Sequence, residues 1–153
     1  MRSSPIPRLW RRFRRLPGGR RLLLLEAAFW LTAARLAILL VPFPRIARYL
    51  GELHPPAREP DRFLREAAAA RGVSWAIERS APFLPFRVVC LPRALAGWQM
   101  LHRRRIVSRV HFGAARDAAG AKLRAHAWLD ADGVEVTGYP EAHNCAEIGY
   151  LAR

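Results

Sequence analysis

Two side chains in this sequence bring the chemistry that a nucleophilic enzyme needs, Cys90 and His126. A thiol attacks as its thiolate, and an imidazole within hydrogen-bond reach can take the proton. The two lie far apart in the chain, so only the fold can join them. From Cys90 onward, Leu91, Leu95, Trp98 and Leu101 recur at three-to-four spacing. Pro92 stands in the first turn, where a helix accepts proline, and Arg103 to Arg105 close the far end, where cations suit the helix dipole. This predicts a helix with Cys90 at its start, where partial positive charge favours a thiolate and free N–H groups face an oxyanion. His126 lies in a predicted strand, Ala125 to Ala131, followed by the tight-turn signal Asp132-Gly133 and an antiparallel partner from Val134 to Tyr139.

The elements that must hold these two residues are read in chain order. Met1 to Arg21 contains eight arginines broken up by Pro and Gly, with Leu9, Trp10, Phe13 and Leu16 on one short amphipathic turn. The apolar run from Leu22 to Phe43 has about the 20 residues that span a bilayer. It is too long for a signal peptide and shows no small-residue cleavage site. Glu26 and Arg35 both lie inside the run, and each charge near a bilayer centre costs about 2.5 to 3.5 kcal/mol. Their separation of about two and a half turns keeps them from pairing. The run is therefore expected to be a helix buried against a soluble domain, with peripheral membrane contact as the alternative. Pro42 and Pro44 end it, and a short helix follows to Leu50. After a linker-like turn at His54-Pro-Pro and Glu59-Pro, Asp61 caps a helix over Arg62 to Ala70, which Gly72 ends or bends before Val73 to Arg79 resumes. Pro82 and Pro85 impose an extended approach to Cys90. Ile106 to Phe112 alternates as a strand, Gly113 to Leu123 reads as a loop, and one or two short strands follow the hairpin.

Helices first and a small antiparallel sheet afterwards is the α+β arrangement. At 153 residues the chain reads as one domain, with an N-terminal helical region over 1–87 and a catalytic core over 88–153. Cys90 and Cys145 form no disulfide framework, which suits a reducing cytoplasm. His143 beside Cys145 offers two metal ligands without a third, so neither metal nor cofactor is expected. His102, His111 and His143 are expected to be structural or solvated, and Trp128 to pack beside the site, with shaping of the substrate cleft as its second reading. The 26 Lys and Arg against 12 Asp and Glu favour anionic partners. A basic module on anionic membrane or nucleic acid is thus the competing class, although no nucleic-acid motif or aromatic stacking series accompanies the charge.

Cys-Leu-Pro-Arg-Ala-Leu-Ala at Cys90, the arginine-rich helix end, a strand containing Gly113, and Ala-His126-Ala-Trp before an Asp-Gly turn resemble the transglutaminase-like cysteine peptidases of lasso-peptide biosynthesis. More narrowly they resemble the stand-alone leader peptidase half of the lasso B protein, which also occurs as the C-terminal part of a fused microcin-processing form. The motif part covers roughly residues 88 to 151. The resemblance implies a papain-like fold, Cys90 as nucleophile and His126 as general base. It also implies removal of a leader from a ribosomally made precursor, a separate leader-recognition protein, and an asparagine-synthetase-like cyclase that closes the ring afterwards. The same thiol chemistry serves a transglutaminase-like acyl transferase when an amine replaces water, and that reading stays open.

The third catalytic member departs from the family. Its acid is expected about a dozen residues after the histidine, near Gly138 in this chain. A three-residue turn at Ala131 to Gly133 puts Gly138 opposite His126 and a two-residue turn puts Tyr139 there; neither is an acid. Asp130 shares the strand face of His126 but lies about 13 Å along it. Glu141, folded back after Pro140, and a backbone carbonyl are the remaining candidates. No glutamine precedes Cys90 as a side-chain oxyanion donor; Leu84, Pro85 and Phe86 occupy that approach.

Overall fold

A computed structural model of the chain describes residues 13–56, 67–116, 120 and 122–153. The described helices are α1 (Gly18–Leu40), α2 (Phe43–Leu50), α3 (Ala67–Ser80) and α4 (Cys90–His102). The strands are β1 (Glu52–His54), β2 (Arg109–Arg116), β3 (Leu123–Ala131), β4 (Val134–Thr137) and β5 (Ala146–Ala152). All five strands pair antiparallel in the order β1-β5-β2-β3-β4, so the molecule is α+β as its sequence pattern requires.

The helices bury one face each into a common core with one face of the sheet. Leu31 of α1, Val73 and Ile77 of α3, and Leu101 of α4 meet Val110, Leu129 and Leu151 there, all at most 5 % exposed. At Gly97 α4 lies close against the sheet, since a Cβ there would stand 2.6 Å from Leu129 Cδ2. A glycine at this point lets the helix settle directly on β3, the strand that carries His126.

Helix α1 differs from the expectation of general burial. Ala27, Leu31 and Ala34 face the core, whereas Leu22, Leu25, Phe29, Leu36, Leu39 and Leu40 are each at least half exposed. Its one acidic group, Glu26, is held from the turn that follows α4: Arg104 Nη2 lies 2.5 Å and Arg103 Nε 3.8 Å from its carboxylate. The Arg103 to Arg105 run therefore has an internal partner besides the helix dipole. The bond to Glu26 holds the Arg104 guanidinium even more firmly charged than usual, against the opposing effect of burial.

Other differences have local causes. Gly72 neither ends nor breaks α3, because it lies in the middle of the helix and faces Leu23 of α1. Strand β2 runs on through Gly113 to Arg116, a stretch whose Ala and Gly content reads as loop but which pairs residue by residue with β3. The expected linker at His54 is partly strand: β1 pairs with β5, a contact almost a hundred residues away that no local pattern reports. The expected N-cap Asp61 and most of the helix assigned to Arg62 to Ala70 fall outside the described residues, as do Leu9 and Trp10 of the amphipathic turn.

Candidate active site

Cys90 is the first residue of α4, as its sequence context predicts, and its thiol is free and half-buried. Val89 enters in extended conformation and no side chain caps the helix. The N–H groups of a first turn have no intrahelical acceptor, so those of Cys90 and Leu91 are available to an oxygen bound beside the thiol. Pro92, buried in the same turn, adds no donor, and the first helical bond runs from Arg93 N–H to Val89 O at 3.4 Å.

His126 stands on β3 opposite Gly113 of β2. Its Nε2 lies 2.7 Å from the carbonyl oxygen of Gly138. A carbonyl only accepts, so Nε2 carries the hydrogen and Nδ1 keeps a lone pair, the tautomer that a general base requires. The turn at Asp132-Gly133 has two residues, both with positive φ, but an irregularity between Leu129 and Asp130 moves the register again. Gly138 consequently lies against Trp128 rather than opposite His126, and it is the carbonyl that reaches the imidazole. Its φ is +85°, and a Cβ would stand 2.7 Å from Trp128 Cβ and 2.8 Å from Ala127 O. Only glycine fits.

The group that orients His126 is thus a peptide carbonyl. Glu141 is exposed at the start of a 3-10 turn, Glu141–Asn144, and its carboxylate makes no hydrogen bond or ion pair among the described residues. A carbonyl fixes the ring as a carboxylate would, but with a partial charge it stabilises an imidazolium less.

Trp128 is 6 % exposed. Its six-membered ring covers the α-carbon of Gly113, where a Cβ would stand 2.8 Å away. The ring stacks near His126, with centroids 6.0 Å apart, and on His111 at 5.5 Å. Little surface is left for a substrate, so the position fits a wall behind His126 better than a cleft residue.

His111, expected to be structural or solvated, is a buried histidine held between two carboxylates. It is 5 % exposed, with Nδ1 2.6 Å from Glu147 Oε1 and Nε2 3.5 Å from Asp130 Oδ1, the second an ion pair longer than a well-formed hydrogen bond. Burial alone would lower this imidazole, but hydrogen bonds and charge from the two carboxylates outweigh it and raise it. Burial pushes the Tyr139 phenol far up, and the charges of Asp130, Glu135 and Glu147 add to the effect. Alternation along β2 and β3 puts His111 on the face of His126, Trp128 and Asp130. That pairing was the one signal that could have exposed the cluster.

Burial raises the Cys145 thiol, and the Cys90 thiol and Glu141 carboxylate facing it add to the shift. Cys145 is therefore within electrostatic reach of Cys90. The next residue, Ala146, pairs with Ala114, and its carbonyl crowds Gly113, the partner of His126. The position paired with His126 and the strand that follows Cys145 thus both lie at the Gly113 end of β2. His143 Nε2 is bonded to Glu135 at 2.6 Å, and no group of three His, Cys, Asp or Glu able to hold a metal occurs among the described residues.

Neither a curated protein nor a solved structure matches the chain. A family model described as Transglutaminase-like superfamily matches residues 29–147, a span that runs from within α1 through the Cys90 helix and the His126 strand into β5. A cysteine at a helix start, a histidine on a neighbouring antiparallel strand and this match agree: the chain belongs to the Transglutaminase-like superfamily.

Proposed function

We propose that the protein is a cysteine peptidase that removes the leader from a ribosomally synthesised lasso peptide precursor. The superfamily supports thiol-dependent peptidase or acyl-transfer chemistry, and the motifs around Cys90 and His126 carry the narrower reading. The observation that supports catalysis most directly is the bond from His126 Nε2–H to Gly138 O, because it leaves Nδ1 as the basic nitrogen of the ring.

In this mechanism His126 takes the proton of Cys90, and the thiolate attacks the scissile carbonyl. The resulting oxyanion is met by the N–H groups of the first turn of α4. His126 then protonates the departing amine, leaving an acyl-enzyme. Water, deprotonated by His126, releases the peptide acid and restores the thiol. A separate leader-recognition protein presents the precursor, an asparagine-synthetase-like cyclase consumes the product, and the reaction takes place in the cytoplasm.

The test uses the full chain, a leader-bearing precursor and its leader-recognition protein, with products weighed by mass spectrometry. Cys90→Ala is expected to abolish cleavage while folding normally, and retained cleavage would end the reading. A product carrying an added amine in place of a free acid would make the protein an acyl transferase instead.

A further inference from the structure

Helix α1 is apolar on two sides. At about 3.6 residues per turn, Leu22, Leu25, Phe29, Leu36, Leu39 and Leu40 fall within an arc of roughly 100°, and Ala27, Leu31 and Ala34 lie across the helix from it. The inner set is 0 %, 0 % and 8 % exposed, whereas the outer set is 50–77 % exposed. Phe43, 46 % exposed at the start of α2, follows the outer stripe beyond the helix end.

The length and hydropathy of α1 would let it cross a membrane. Its inner face forbids that, because crossing would strip Leu31 and Ala27 from the core they share with α3 and α4. What remains is a helix lying flat with its outer stripe turned to an apolar phase.

Charge selects the phase. Arg14 and Arg15 precede the helix, and Arg21 and Arg35 border the stripe, whereas Arg20 lies on the other side of the helix over the ring of Trp75. The other border holds Glu26, already neutralised by Arg103 and Arg104. A second copy is disfavoured, since each chain has a net charge of +14 and would bring these arginines against their equivalents. A specific helical partner usually needs flanking charges of both signs to set its register, and the one acid bordering this stripe is already paired within the chain. A fluid anionic surface needs no register and attracts a basic collar.

We propose that the outer face of α1 docks the protein on an anionic phospholipid bilayer, with Leu22, Leu25, Phe29, Leu36 and Leu39 entering the headgroup boundary and the arginines pairing with lipid phosphates. The docking is independent of the thiol chemistry and is read by binding alone.

The full chain is sedimented with vesicles of equal parts phosphatidylglycerol and phosphatidylcholine, with phosphatidylcholine alone, and without vesicles. Wild type is expected to bind the anionic vesicles at least tenfold more tightly than the neutral ones, and to lose that binding in high salt. Phe29→Glu with Leu36→Glu should weaken it tenfold or more at an unchanged melting temperature, as should Arg14→Glu with Arg15→Glu. Cys90→Ala should bind as wild type does. Equal binding to both vesicles, no binding to either, or full binding by the Glu variants would each overturn the proposal. So would a soluble dimer that the Phe29→Glu, Leu36→Glu variant dissolves, which would give the stripe to a second copy.

Discussion

The rings of His111 and Trp128 lie almost parallel, 4° apart, with centroids at 5.5 Å, and Trp128 also stacks near His126, with centroids 6.0 Å apart. The imidazole whose pKa the carboxylates of Asp130 and Glu147 raise against burial is thus one ring removed from the proposed general base. Because the folded value of His111 is raised, its contribution to stability is fully present below the ordinary imidazole value of about 6.5 and is lost as pH rises through the folded value. Urea midpoints should fall on going from pH 6 toward pH 9 in wild type, and much less in His111→Gln. Equal slopes for the two proteins would show that His111 does not carry the effect.

Replacing Gly138 tests the carbonyl that orients His126. Alanine there meets both positive φ and fixed backbone, at a cost of about 1 to 3 kcal/mol. Displacing the carbonyl by a fraction of an ångström should also slow leader cleavage by roughly ten- to a hundredfold. Thermal melting and single-turnover cleavage of Gly138→Ala check the two effects separately. A variant that loses stability alone would show that His126 finds its orientation elsewhere.

At Gly97 two effects oppose each other. A helix gains about 1 kcal/mol when glycine becomes a better former, but valine is a poor one and its methyls would enter space already held by Leu129 and Ile77. Gly97→Val is expected to lose at least about 2 kcal/mol of stability in chemical denaturation. A neutral result would mean that α4 and β3 can separate without loss.

Glu141 and Cys145 give a fourth experiment. With its thiol raised by burial and by Cys90 and Glu141, Cys145 should resist iodoacetamide at neutral pH and react faster as pH increases. Glu141→Gln removes one of the causes and should speed labelling of Cys145 while leaving leader cleavage within about twofold, because Gly138 O already holds His126. A large loss of cleavage in Glu141→Gln would restore the carboxylate to the catalytic set.

Much of the site is written locally. The helix starting at Cys90, with proline in its first turn, and the Asp132-Gly133 hairpin follow from signals a few residues long, and both occur where those signals put them. Three features are not written that way. Strand β1 exists only because β5 is beside it, and β2 continues past Gly113 because β3 supplies partners that outweigh poor strand propensity. The orienting group of His126 escapes because sequence advertises side chains, whereas a carbonyl belongs to every residue. Its placement needed both the turn length and the register shift between Leu129 and Asp130, and only the first is legible beforehand.

The fit of Gly138 against Trp128 also bears on how such a site can change over generations. Where relatives are expected to present an acid, a single codon change here from glycine to aspartate would not restore it: the new Cβ would collide with Trp128 and with Ala127 O before the carboxylate could reach His126. Return to an acid would first require a smaller residue at 128 and a relaxed backbone at 138, and each step taken alone harms the site. The carbonyl arrangement therefore resists replacement by any single substitution at 138.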